Sequence, residues 1–473
     1  MSINSDRGSE STGTTAASAS RAVGLDDIRL ELDTVPSFDT FPHVDDLSSR
    51  LHELARRNPE RCRIDAIGRS ASGERIERLT IDGGPRSAIV VGFPHPNEPV
   101  GGLTALHLAQ RVLDDVELRD RLGLTWHVVA CVDPDGARLN ETWFSNPASR
   151  DSYNAGFYRP PGRLQVEWTF PFHHGDIQID APIPETQALM GLIDEVEPDL
   201  LVSLHNSECG GVYFYLSRPE PNLYDVFAEI PEAVGLVLDV GEPEAPWIPL
   251  LAPGVFESRP MEEIVDGIIA SGGRTDLLAG TSSTDYARRF DTLTLVCEVP
   301  QWIDDQACSE EPGTERYDEL LTTQATRYGQ AVTELRAILD AAGGDIVDSP
   351  FLVAVVEFLD DMESVAEGSA GRSEEPENAR TASVAEEFSV REAVDAYRGR
   401  LIGMLVRALS TTIESGIMTA GVTEAHERAE TLRTTWLAES TARSHERAAP
   451  IEALVAAQYG AILSSALLLR GEN

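Results

Sequence analysis

Three short apolar runs, each leading into residues that can bind a cation, constrain this chain more than anything else in it. Ser87-Ala88-Ile89-Val90-Val91 leads into Gly92-Phe93-Pro94-His95-Pro96-Asn97-Glu98, Asp199-Leu200-Leu201-Val202-Ser203-Leu204 into His205, and Thr292-Leu293-Thr294-Leu295-Val296-Cys297 into Glu298. Runs of this length and composition read as buried strands. Between them lie stretches of helical periodicity. One spans 101–118, with Leu103, Leu106, Leu108, Val112 and Leu113 placed to pack on a sheet. Strands alternating with helices make an α/β fold, and its ligands gather beyond the carboxyl ends of the strands. The expectation is a sheet edge that offers two imidazoles and two carboxylates to one site.

That donor set has a specific chemistry. Catalytic zinc takes three protein ligands, with His₂Glu among the established sets, and keeps one open position for water. A carboxylate that is not a ligand must then take the water's proton and pass it to the leaving group. His95, Glu98 and His205 are therefore predicted to hold one zinc ion per chain, with Glu298 as general base. H-x-x-E occurs by chance in many chains, and His95 alone reads equally well as a surface-turn histidine. The partners at two further strand ends make the metal reading specific.

Several stretches resemble the zinc metallocarboxypeptidases of the carboxypeptidase A type. Gly68-Arg69-Ser70-Ala71-Ser72-Gly73-Glu74-Arg75-Ile76 is similar to that family's G-[RK]-S-x-x-G-R-x-I stretch. His95-Pro96-Asn97-Glu98 resembles its metal motif, and Asp133-Pro134-Asp135-Gly136 its N-P-D-G turn. Pro184-Glu185-Thr186-Gln187-Ala188-Leu189 resembles the helix start before the third ligand. Ser203-Leu204-His205 and Thr294-Leu295-Val296-Cys297-Glu298 resemble the strands that carry that ligand and the base. The order and approximate spacing agree over about residues 37–340. The resemblance implies an α/β fold with a mixed, doubly wound sheet flanked by helices. It further implies that Arg159, in Tyr158-Arg159, polarises the scissile carbonyl.

The departures bear on substrate. The family grips a terminal carboxylate with Asn-Arg in a D-L-N-R-N-F-P stretch, where this chain reads Gln165-Val166-Glu167-Trp168-Thr169-Phe170-Pro171. Glu and Trp cannot replace the bidentate fork of an arginine on a carboxylate. Asn206-Ser207 stands for the family's Ser-Tyr after the third ligand. The mobile substrate tyrosine falls near Leu277, with none nearby until Tyr286. By resemblance Asn206, Glu167, Trp168, Asp285 and Tyr286 are the expected substrate-binding residues.

At 473 residues the chain exceeds what one growing core accommodates. We expect a flexible leader over 1–24, a catalytic domain over 37–344, and a helical C-terminal extension over 347–473 interrupted by a flexible linker near 367–383. The leader lacks the apolar core of a secretory signal. Within the catalytic domain the expected strands are Arg75–Ile81, Ala88–Gly92, Leu124–Val132, Leu200–His205, Val212–Leu216 and Thr292–Val299. Segments 134–182 and 240–260 read as long loops. Helices are expected at Tyr317–Ala342 and at about 385–415, 422–445 and 449–470. The last of these is apolar from Ile451 to Leu469, broken only by Glu452, Gln458, Ser464 and Ser465, and reads as a packed bundle helix and not a membrane span.

Net charge is −41 with every basic side chain an arginine. Such acidity opposes nucleic acid or an anionic membrane as partner. It fits either a high-salt cytoplasm or a genome that disfavours lysine codons. Five scattered cysteines imply no disulfide framework and a reducing, cytoplasmic compartment. Cys209, four residues past His205, is a candidate extra ligand. His173-His174-Gly175-Asp176 reads as a loop near the substrate, and His426 and His445 as surface-helix histidines. The expected activity is zinc-dependent hydrolysis of a peptide or small amide. The alternatives are a deacylase or amidase acting on a small acylated substrate, or a silent binding module on the same fold. The C-terminal helices are a candidate surface for homo-oligomers.

Overall fold

The computed structural model describes residues 22–471 apart from positions 244, 246, 271–274 and 277. Leu277 and most of the expected leader thus lie outside the described residues. Val23, inside the expected leader, is buried, and its N–H donates to the Asn222 carbonyl. The strands are β1 Cys62–Arg69, β2 Arg75–Ile81, β3 Arg86–Gly92, β4 Leu124–Val129, β5 Phe172–His174, β6 Ile177–Ile179, β7 Leu200–Gly210, β8 Tyr213–Leu216, β9 Leu250–Ala252, β10 Val255–Glu257, β11 Leu293–Ile303, β12 Pro312–Arg316, β13 Thr381–Ser383 and β14 Arg447–Ala448. The main sheet runs β1-β2-β4-β3-β7-β11-β8-β10-β9, with β14 added to β11. Its centre, β4-β3-β7-β11, is parallel, and antiparallel pairs lie on both sides. A mixed sheet flanked by helices is therefore what the chain forms.

Alternation along the central strands builds the two faces. Ala88, Val90, Leu200, Val202, Leu204, Leu293, Leu295 and Cys297 join the larger core, while Ile89, Val91, Val129 and Leu201 join a second core beneath the helix Pro184–Val196. The larger core is covered by the helices Val44–Arg57, Val100–Asp114, Pro221–Ala233 and Ile451–Gly471. Close approach of Val100–Asp114 to the sheet needs glycine. A Cβ on Gly101 would stand 2.9 Å from the Leu204 Cβ and 3.0 Å from the Leu204 carbonyl oxygen.

The structure corrects three expectations. The segment 134–182 is not a long loop: it holds the helices Pro134–Phe144 and Arg150–Gly156 and the β5–β6 hairpin. Both helices carry local start signals, with Asp133 capping Gly136 N and Ser149 capping Ser152 N. The linker near 367–383 is ordered. Pro350–Ser373 runs through its first half, and β13 pairs with β12 in its second. Partners distant in sequence satisfy this polar stretch: Arg380 stacks over Tyr317, and the Ser383–Glu386 capping box opens the helix Val384–Glu414. Third, the extension does not stand apart. Tyr317–Ala342, Pro350–Ser373, Val384–Glu414 and Ala420–Arg443 pack together, but their core is continuous with that of the sheet. Arg407 donates to the carbonyls of Leu139, Gly156 and Phe157 at 2.7–3.0 Å. The apolar helix Ile451–Gly471 leaves the bundle and covers the sheet, with 89% of its most apolar window buried in the protein.

Candidate metal centre

Register brings the site together. In the parallel β7–β11 pair Glu298 lies opposite His205, so both side chains leave the same face side by side. β3 pairs with β7 up to Gly92 opposite Leu204. The chain then turns through Phe93, a non-glycine residue at φ 55°, which carries His95 and Glu98 over the end of β7. His95, Glu98 and His205 each offer one ligand atom, all within 4.8 Å of one another, and all three residues are buried. The two imidazoles meet edge to face with centroids 5.0 Å apart. His205 Nδ1 stands 3.0 Å from Glu98 Oε2 and 3.6 Å from Glu298 Oε1, while its Nε2 pairs with Ser203 Oγ at 2.9 Å.

The electrostatics suit a cation. Burial and then Glu98 act oppositely on His205. The carboxylates of Glu98, Glu298 and Glu167 prevail and push it up to about 9, so a positive charge is stabilised at this point. His95 is held well below its ordinary value by burial, then by Arg159, His205 and Arg400, which keeps it neutral as a ligand must be. Nδ1 of His95 is buried without a hydrogen-bond partner. Buried polar atoms of this kind need a reason. Zinc, which takes imidazole nitrogens and carboxylate oxygens as ligands, would give this atom one, with His95, Glu98 and His205 as the residues that would hold the ion. The residues present therefore fit zinc.

Arg159 borders the triad. Its Nε donates to Asn97 Oδ1 at 2.9 Å, and its terminal nitrogen contacts Glu98. The expected substrate residues are distributed differently. Glu167 is buried and accepts hydrogen bonds from Ser283 N and Oγ, and burial raises its carboxyl above the usual range. Trp168, its neighbour, is 42% exposed. Asn206 is a structural staple: its Oδ1 accepts from Val100 N at 3.2 Å and its Nδ2 donates to the Val299 carbonyl at 3.1 Å. Strand alternation puts Asn206 on the face opposite His205, which explains why its amide meets helix and backbone instead of the site. Tyr286 is likewise committed elsewhere, with its hydroxyl on Asp194 and the Arg289 guanidinium 3.5 Å from its ring centroid. Asp285 accepts from Thr281 Oγ1 and Met261 N and pairs with Arg288, so it shapes a turn.

Cys209 belongs to another group, with Glu392 and Glu446. Arg150 already supplies a cation there, 3.1 Å from Glu392 and 2.5 Å from Glu446. His174 pairs with Asp266 at 2.7 Å, and neither His173 nor His174 joins a metal group among the described residues. A residue that the sequence reading passed over is Gln458. Its side-chain amide donates to the backbone carbonyl of His205.

Comparison with known proteins finds one family and several solved structures to which the chain is similar. The sequence model of the zinc carboxypeptidase family matches residues 47–235, a span that holds His95, Glu98 and His205 but ends before Glu298. Over that span the chain is similar to the zinc carboxypeptidases, at low identity to their solved structures. Carboxypeptidase A from Helicoverpa armigera is 14% identical over 74% of this chain and 80% of its own, with a TM-score of 0.38. A metallo-carboxypeptidase from Burkholderia cenocepacia is 17% identical over 54% of this chain and 59% of its own, with a TM-score of 0.34. Bovine thrombin-activatable fibrinolysis inhibitor is 12% identical over 55% of this chain and 86% of its own, with a TM-score of 0.35. No curated relative matches the sequence.

Proposed function

We propose that the protein is a zinc-dependent hydrolase of peptide or amide bonds. The observation that carries this reading is the convergence of His95, Glu98 and His205 with Glu298, whose Oε1 lies 3.6 Å from His205 Nδ1. Zinc held by the triad would supply Lewis acidity and a water acidic near neutral pH. Glu298 takes the proton of the attacking water and returns it to the leaving nitrogen. Arg159 supplies a positive charge to the carbonyl oxygen as that oxygen gains negative charge. Its contact with Glu98 also holds that ligand carboxylate in place.

The acidic Glu167 favours a second reading within the same chemistry. Where a carboxylate clamp is expected, a buried carboxyl sits on Ser283, and its charge lies near those of His205 and Glu98. A carboxyl at this place offers no cation to grip a free C-terminus. The substrate is then a small acylated amine or an amide without a terminal carboxylate.

The first test is metal content by elemental mass spectrometry, in wild-type protein and in His205→Ala. About one zinc per chain, lost in the variant, is the expected result. Metal that ignores His205 would overturn the site. Matched C-terminally free and amidated peptides then separate the readings. Cleavage of free termini alone supports the exopeptidase, and equal cleavage of both supports the amidase.

A further inference from the structure

The helix Ile451–Gly471 is buried along almost its whole length, and its polar side chains solve that burial in two ways. Ser464 and Ser465 bond back to the carbonyls of Gly460 and Ala461, inside their own helix. Gln458 reaches out. It has no exposed surface, and its Nε2 donates to the His205 carbonyl at 2.8 Å and to the Cys297 carbonyl at 3.4 Å. Its Oε1 accepts from Thr104 Oγ1 at 2.7 Å. The amide orientation is fixed by this network, because two carbonyls can only accept and so must face the NH₂ group.

These three partners sit on β7, on β11 and on the helix that follows the His95–Glu98 turn. His205 O belongs to the β7 ligand residue, and Cys297 O to the peptide that leads into Glu298 on β11. Thr104 is one turn into the helix that follows the His95–Glu98 turn. The amide lies on the covered face of the sheet, opposite the side chains of His205 and Glu298. Burying an amide in an apolar helix costs free energy unless its bonds are made. Here the bonds made are those that register the β7 strand, the β11 strand and the helix that follows the His95–Glu98 turn.

We infer that Gln458 is a positioning residue for the metal centre, locking the backbones of His205, Cys297–Glu298 and the Val100–Asp114 helix to one another. This inference rests on the zinc reading. Partners that orient metal ligands are worth roughly 10–100-fold in metal affinity.

The test is zinc affinity by chelator competition, with thermal stability measured alongside, in wild type, Gln458→Met and Tyr459→Phe. Gln458→Met keeps the side-chain length and removes the donors. Tyr459→Phe removes a neighbouring bond, to Glu31 Oε2 at 2.9 Å, that does not reach the site. The expected result is zinc binding weakened about tenfold in Gln458→Met and unchanged in Tyr459→Phe. Equal affinity in wild type and Gln458→Met overturns this inference alone. A wild type that takes up no zinc overturns the site reading and this inference with it. Should Gln458→Met fail to fold, Thr104→Val decides: it frees the amide from its anchor, and weakened zinc binding supports the inference while unchanged binding overturns it.

Discussion

His205 concentrates the chemistry of the proposed site, because its Nδ1 lies between the carboxylates of Glu98 and Glu298. In the proposed site Glu298 is the base and not a ligand, which allows a clean separation. Glu298→Gln is expected to retain zinc while turnover falls roughly 10²–10⁴-fold, the usual value of a positioned general base; loss of zinc in this variant would make Glu298 a ligand instead. A second residue-scale prediction concerns His107. It is buried against Tyr459 with Nε2 3.2 Å from Thr34 Oγ1, and burial, then Arg111, lowers its pKa from 6.5 to about 4. The folded protein therefore refuses a proton that the unfolded chain accepts. Stability from this group is complete above pH 6.5 and lost as pH falls toward 4, by about 3 kcal/mol at most. In His107→Gln the unfolding free energy, measured by urea titration, should lose that part of its acid dependence. The wild-type advantage should shrink between pH 7 and pH 4.5; a constant gap would show that His107 titrates alike in the folded and unfolded chain. At this scale the juxtaposition of His95, Glu98, His205 and Glu298 was legible in the sequence, because each lies at or just past the end of an apolar run and strand ends converge. Asn206 and Tyr286 were not. A resemblance fixes position along the chain, whereas period-two alternation decides which face Asn206 takes, and the partners Asp194 and Arg289 decide where Tyr286 points.

Among the elements, the helix Ile451–Gly471 was placed correctly along the chain and wrongly in space. Its continuous apolar character shows that it is buried but does not say against what. The answer lies in its contacts with Val100–Asp114, Pro221–Ala233 and β11. The one sequence signal of its role was a lone amide in an apolar stretch, Gln458. Ending the chain before Ile451 should therefore not yield a trimmed but folded protein. Leu454, Val455, Tyr459, Ile462, Leu463, Leu468 and Leu469 are all nearly or wholly buried. At about 1.5–3 kcal/mol for each large apolar side chain, their loss matches or exceeds a typical folding free energy of about 5–15 kcal/mol. Circular dichroism and gel filtration of the truncated chain should show unfolded or aggregated protein. A monomer with native helicity and a cooperative melt would mean that the sheet's covered face is closed by something other than this helix.

For the whole molecule the governing quantity is a net charge of −41, which secondary structure does not reveal and composition does. Two electrostatic effects of opposite sign compete. Arginine–carboxylate pairs span the surface, such as Arg336 with Asp360 and Glu363, and Arg163 with Glu357. Exposed pairs of this type contribute about 0–1 kcal/mol each, and salt weakens them. Self-repulsion acts between all the unpaired acids, has no short-range geometry to satisfy, and opposes compactness. The Debye length falls from about 10 Å at 0.1 M salt to about 3 Å at 1 M, which cuts long-range repulsion far more than contacts at 3 Å. Salt should therefore stabilise this protein. The thermal midpoint is expected to rise by several degrees between 0.1 M and 1 M sodium chloride, and the unfolding rate to fall in parallel. The pairs that tie the extension to the sheet are shielded from this competition: Arg150 with Glu392 and Glu446, and Arg400 with Glu208, lie largely buried. If the midpoint fell instead, exposed ion pairs would outweigh repulsion, and the acidity would have to be distributed in matched clusters instead of as a uniform negative surface.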